Sequence, residues 1–247
     1  MEKKHALICA APICALISVL AISCSQNRRP NEALNFFPEE PLPGEAIRVI
    51  YSPSDPTFKD ADHIQMLAYA YTVGLPTVLP VTMEKEGRTW RGTVTPEKDV
   101  FGVAIKFKAG DKFDNNKKSG YFIPLFTSDG DLVPGAMTGQ AEALASWGDL
   151  LMKTESDPQK ALRLFDAEFL AHPEMKKKFL YTYVRTLIQT KPESWEEIAF
   201  ASVNEVASKA DPEEDTLITL INCYRQLKNS EKQLAIAERA IEAYPQG

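Results

Sequence analysis

Four cysteines, three histidines and one polar loop are the residues of this chain with types suited to chemistry. Cys9 and Cys14 lie inside an apolar run, Ala6 to Ile22, that is broken only by Pro12 and Ser18, and Cys24 stands directly after it. That leaves Cys223 alone in the remaining 223 residues. A single thiol forms no internal disulfide, and the chain has no C-x-x-C pair for dithiol exchange. Cys223 sits beside Tyr224 in a helical pattern, where a small apolar residue belongs in a core. His63 and His172 follow the apolar run, in neither an H-E-x-x-H nor an H-x-E context. No G-x-S-x-G, G-x-G-x-x-G or Walker loop occurs, so the residues argue against catalysis, and no cofactor is expected. The polar loop runs from Asp111 to Tyr121 and contains Asp114, Asn115 and Asn116, with Asp129-Gly130-Asp131 soon after. Asp111, Asp114 and Asn116 are oxygen donors of the kind that surround calcium. The same residue types also build tight turns by bonding their own backbone, and Lys117-Lys118 opposes a cation.

The run before Cys24 has the layout of an export signal. Lys3 and Lys4 form a short basic start, the apolar stretch is too short and too weakly flanked for a membrane span, and Ala21-Ile22-Ser23 bring small residues up to the cysteine. Leu20-Ala21-Ile22-Ser23-Cys24 resembles the lipobox of bacterial lipoproteins, with Ala21 where that family has Leu. The resemblance implies cleavage behind Ser23, lipid on Cys24, and a protein anchored to the bacterial envelope, at the outer membrane. The chain carries 28 basic and 34 acidic residues. That balance, with Arg28-Arg29 and Lys176-Lys177-Lys178 as its basic clusters, lacks the concentrated positive face that nucleic acid requires. The expected partners are a membrane, through the lipid, and a protein or peptide.

The elements that would position these residues fall into stretches. After the signal at residues 1–23, residues 24–43 are polar and Pro-rich and read as a linker, in which Phe36-Phe37 could dock on the adjoining domain. Residues 44–136 alternate with period two. Ile47, Val49 and Tyr51 form one run, and Leu67, Tyr69, Tyr71 and Val73 a second. Thr77 to Glu84 is the third and turns through Lys85-Glu86-Gly87 into Trp90, Gly92 and Val94; Phe101, Val103, Ile105 and Phe107 come next, and last Tyr121, Ile123 and Leu125. Six or seven short strands of this kind predict an Ig-like antiparallel β-sandwich. Residues 137–247 change to a helical period. Leu180, Tyr183, Val184, Leu187 and Ile188 make one apolar stripe, and Leu217, Leu220, Ile221, Tyr224 and Leu227 another. Ala171-His172-Pro173-Glu174, Ala210-Asp211-Pro212-Glu213 and Ala243-Tyr244-Pro245-Gln246 repeat a helix-stopping pattern at an interval suited to one helical hairpin.

In the last of these units Leu217, Leu220, Tyr224, Ala240 and Pro245 resemble the tetratricopeptide repeat, with Ile221 at its small-residue position. The expected architecture is therefore multi-domain, β then α: an Ig-like β-sandwich followed by a tetratricopeptide-like α-helical solenoid. Tyr181, Arg185, Gln189 and Arg225 are then exposed members of the first helices and candidates for a binding face. The run from Asp114 to Ala136 resembles the end of the sandwich that precedes helical repeats in Bacteroidetes envelope proteins, in which a TlpA-type or ResA-type thioredoxin domain comes after the repeats. That resemblance implies the non-catalytic front of a thiol-disulfide oxidoreductase whose thioredoxin domain lies beyond Gly247. Similar D-x-N-x-x-G-Y turns occur in starch-binding-like sandwiches, which implies sugar binding with Trp90 or Tyr69 as stacking platforms. The leading expectation is a membrane-anchored, non-catalytic protein-binding or scaffold module.

Cys24 is the residue on which the anchoring rests. Each buried methylene of an attached chain contributes about 0.8 kcal/mol to membrane affinity, so two or three acyl chains hold a protein firmly. Cys24→Ala should move the protein from the salt-washed membrane fraction to the soluble fraction, and retention in the membrane would exclude lipid on Cys24.

Overall fold

A computed structural model describes residues 33–209 and 213–246. Cys24, Gly247 and the middle helix stop at Ala210 to Pro212 lie outside the described residues. The architecture is mixed β and α: among the described residues eight strands form one antiparallel sheet, and seven α-helices and a π-helical stretch accompany it.

The strands are β1 Leu34–Phe37, β2 Ile47–Tyr51, β3 Ile64–Tyr71, β4 Thr77–Glu86, β5 Thr89–Val94, β6 Gly102–Ala109, β7 Lys112–Asp114 and β8 Tyr121–Pro124. They pair in the order β1-β2-β5-β4-β3-β6-β7, and β8 shares the edge of β6 with β7. The expected two-sheet sandwich is not what forms. β4 is ten residues long, pairs with β3 over Thr77 to Met83 and then with β5 over Glu84 to Glu86, and so joins both halves into one sheet. The sheet curls until it is nearly closed like a barrel. Tyr51 of β2 stacks on Phe107 of β6 at 3.7 Å between centroids, and the Phe126 amide, after β8, donates to the Pro41 carbonyl, after β1. β1 itself lies in the stretch read as linker.

Ile47, Val49, Tyr51, Met66, Ala68, Trp90, Val103, Ile105, Phe107 and Ile123 fill the interior of this curl. β3 and β6 are buried on their other face as well. There Tyr69, Tyr71 and Ala104 pack against Trp147 and Met152. The alternation of Leu67, Tyr69 and Tyr71 thus marks an outward face covered by helices, while the unremarked Met66 and Ala68 point inward.

The covering element is a helical rod. α2, Ala136–Glu142, runs directly into a π-helix over Ala143–Met152. At its start Gly135, Met137 and Thr138 offer backbone amides that lack helical acceptors, and the buried Glu168 carboxylate accepts from all three, at 2.8, 2.9 and 3.4 Å. At its end the Leu151 carbonyl accepts from the Lys106 ammonium and the Tyr69 hydroxyl, and Asn115 Nδ2 donates to the Met152 and Lys153 carbonyls. An i→i+5 helix leaves its last five carbonyls without intrahelical donors, which is why so many side chains converge there. Along the rod, Gly139 allows close approach. A Cβ at that position would strike the Tyr71 ring.

Glu168 belongs to α3, Pro158–Ala171, which begins with Asp157 accepting from the Lys160 amide and Pro158 in its first turn. α4 Met175–Thr190, α5 Trp195–Ala207, α6 Glu214–Gln226 and α7 Ser230–Ala243 come after it, and α1 is a single turn, Pro56–Lys59. The expected solenoid of three stacked hairpins is not seen. Its first unit is the rod, flattened on the sheet, and one core gathers Phe165, Phe179 and Tyr183. A separate core holds Leu180, Val184, Val203 and Leu220, and α7 buries none of its described residues. Repeat signatures in the last unit reflect helix periodicity without a continuous shared core.

Removing the Glu168 carboxylate strands three buried amides. Breaking a buried charged network costs about 3 to 5 kcal/mol. Glu168→Ala should lower the urea-unfolding free energy by that amount at pH 7, with Glu168→Gln intermediate. A loss below about 1 kcal/mol would mean that the rod holds its place without this cap.

Candidate functional site

The helices bring some of the expected binding residues together. Tyr181, Arg185 and Gln189 share one face of α4 at i, i+4, i+8 spacing, with Arg185 and Gln189 exposed and Tyr181 half-buried. The Arg185 guanidinium sits 5.8 Å from the centre of the Tyr181 ring. Gln226 of α6 donates to the Tyr181 hydroxyl at 3.4 Å. Arg225, the neighbour of Gln226, is held within its own helix by donating to Asn222 Oδ1 at 2.8 Å.

Other expected residues have structural employment. Trp90 is 1% exposed and Tyr69 4%, so neither offers a face to a sugar ring. Asp114 Oδ2 accepts from the hydroxyls of Tyr51 and Tyr121 at 2.6 and 3.1 Å, and Oδ1 from the Asn116 amide at 2.9 Å. Burial, and then the Asp114 carboxylate, push both phenols above their ordinary range. Asn116 turns its amide to the Gly120 carbonyl, and Asp111 is exposed in the β6–β7 turn. These oxygens therefore serve turns and phenols. Among the described residues no group of three or more His, Cys, Asp or Glu converges on a metal-sized space. The loop holds three successive left-handed residues, Asn116, Lys117 and Lys118, a costly conformation. It is offset by the bonds Asn115 makes to the rod and by the Lys118 carbonyl, which accepts from the Glu155 amide.

The sequence reading passed over Glu142. This last residue of α2 is buried, accepts from Thr182 Oγ1 of α4 at 3.0 Å and from the Gly74 amide at 3.3 Å. Burial raises its carboxyl to about 7 against the opposing effect of those two bonds. Gly74 lies at the tip of the β3–β4 hairpin, in Thr72-Val73-Gly74-Leu75-Pro76-Thr77-Val78. Leu75 is 73% exposed there, Val73 46% and Val78 43%. Apolar residues in place of polar ones around a Gly-Pro turn were the signal available in the sequence. Hydrogen bonds run from the hairpin tip through Glu142 to Thr182, and the adjacent residue of α4, Tyr181, meets Arg185 and Gln226. Leu234 and Ile241 of α7 and Ile218 of α6 are exposed elsewhere on the helical layer.

Two clefts open on the sheet, one over Arg48, Thr82, Glu84 and Arg91, the other over His63, Gln65 and Lys108. In neither is a hydroxyl hydrogen-bonded to a carboxylate or imidazole, and Arg91 is already paired with Glu86.

The chain matches no protein-family model and no curated protein sequence. Among solved structures it is similar to the crystal structure of apo pullulanase from Paenibacillus barengoltzii, at 18% identity and a TM-score of 0.23, over 35% of this chain and 14% of the pullulanase chain. So shallow an overlap carries no argument about fold or activity.

Cys223 is fully buried, and burial pushes its thiol up to about 12. A maleimide at pH 8 should leave Cys223 unmodified in the folded protein and label it only in denaturant. Rapid native labelling would place the thiol at the surface.

Proposed function

We propose that this chain is a membrane-tethered, non-catalytic protein-binding module whose docking surface joins the β3–β4 hairpin tip to the exposed face of α4. The observation that carries this reading is the row of exposed apolar side chains at Val73, Leu75 and Val78, linked through Glu142 and Thr182 to Tyr181 and Arg185. Apolar anchors beside a Tyr–Arg pair are the composition of interface hot spots.

Charge selects the partner. The chain as a whole has a net charge of -6, yet α4 contains no acidic residue. Lys176 and Lys177 pair with Glu205 and Glu213, whereas exposed Lys178 and Arg185 meet no carboxylate among the described residues. The favoured occupant is a polypeptide segment with an apolar side chain for the tip and carboxylates for Lys178 and Arg185.

Photo-crosslinking in the native envelope tests the surface. A crosslinker at position 75 or 185 should give the same discrete adduct, one at Arg163 on α3 should not, and Lys178→Glu with Arg185→Glu should reduce the adduct about tenfold. Equal adducts at all three positions, none at any, or no response to charge reversal would overturn the reading.

A further inference from the structure

We propose that Glu142 is a latch: its carboxyl holds the hairpin tip against α4, and its release frees the tip and reshapes the surface that Leu75 presents. The proposal rests on the docking reading only for that consequence. Among the described residues, the Gly74 amide makes the one hydrogen bond from segment 73–75 to the helices, and Glu142 is its acceptor. The regular pairing of β3 with β4 begins below the tip, at Ala70 and Thr77. Glu142 itself stands where α2 widens into the π-helix, and its second oxygen is anchored by Thr182. One buried carboxyl therefore ties three elements: the hairpin, the rod and α4.

The surroundings make that carboxyl sensitive to protons. Residues 72–78 hold no ionisable side chain. On α4, Lys178, Tyr181, Tyr183 and Arg185 lie within about one turn of Thr182, and Lys178 and Arg185 are exposed; on the sheet side the Tyr71 ring lies against Gly139 of α2; along the rod the next ionisable residue is Asp149, and Glu168 of α3 stands at the opposite end of α2. None of these groups moves the Glu142 carboxyl, which responds to burial first and then to its bonds with Thr182 and Gly74. The docked carboxyl is raised from 4.5 to about 7, so the docked state binds the proton more tightly than a freed, hydrated one. Linkage sets the sign. Docking is favoured at low pH, weakens as pH rises from 4.5 to 7, and is weakest above 7. The opening constant should then increase on the order of 100-fold between pH 5 and pH 8.

Amide hydrogen exchange on the protein alone reads this directly. After division by intrinsic rates, the Gly74 amide should open on the order of 100-fold more at pH 8 than at pH 5, while the β3 amides of Met66 and Ala68 stay unchanged. Glu142→Gln keeps an acceptor for Gly74 and a partner for Thr182 without a charge, so its tip should exchange independently of pH. Thr182→Val removes a bond to the charged form and should move the midpoint upward. A pH-independent tip in the parent protein, a Gln variant that tracks it, or a Val variant with an unmoved midpoint would overturn the latch. The two readings fail separately: pH-dependent opening without a crosslinked adduct at position 75 removes the docking surface and leaves the latch, and an adduct with pH-independent exchange does the reverse.

Discussion

The rod from Ala136 to Met152 is fixed by opposite buried charges at its two ends, and most of the molecule is arranged around that constraint. Aligned peptide dipoles make a helix start partly positive and its end partly negative. Glu168 supplies a carboxylate to the first and Lys106 an ammonium to the second, at 1% and 6% exposure. Burying either ion alone would be costly; each is tolerated because backbone groups that also need partners surround it. Burial, with Lys153 and Lys108 nearby, pulls the Lys106 ammonium below its ordinary range, which marks how much solvation that side chain gives up. The Phe113 ring, 4.7 Å from Lys106 Nζ, and Tyr69 at 5.5 Å replace part of it.

Once the rod is fixed, the layers on both sides are determined by it. Its inner side presses Trp147 onto Tyr69 and Tyr71, which commits β3 and β6 to burial on two faces. Its N-terminal cap comes from α3, so α3 and the aromatic cluster of Phe165, Phe169 and Tyr183 are drawn to the same end. At its middle, Glu142 reaches both the hairpin and α4. The sheet, the rod and α3 are thereby held by shared polar contacts as well as apolar ones, and the site on the hairpin tip inherits its position from them.

Local features of this structure were legible in the sequence. Asp157-Pro158 opens α3, the stripe from Leu180 to Ile188 is buried along α4, and Cys223 lies in a core. What escaped was everything that depends on distant partners. Glu142, Glu168 and Lys106 look like ordinary surface charges until residues 30 to 68 positions away meet them. The single sheet depends on β4 passing from β3 to β5, and its alternation reads the same whether its ends pair with one neighbour or two. The run of Leu67, Tyr69 and Tyr71 packs under the rod while Met66 and Ala68 fill the interior, a distinction that period two alone does not make. The burial of Trp90 and Tyr69 and the bond from Tyr51 to Asp114 likewise come from partners across the fold, which local spacing does not show.

The double-faced burial of β3 and β6 has a consequence for biosynthesis. In a chain that emerges N-terminus first, from a ribosome or from a translocation pore, all eight strands come before the rod. During that interval the sheet can curl around its inner core, but Tyr69, Tyr71 and Ala104 face water with nothing to cover them, and the Lys106 ammonium waits for carbonyls not yet out. A chain emerging in this order carries a sticky aromatic stripe until Met152 is out, and it is in that window that holdase chaperones would find their substrate.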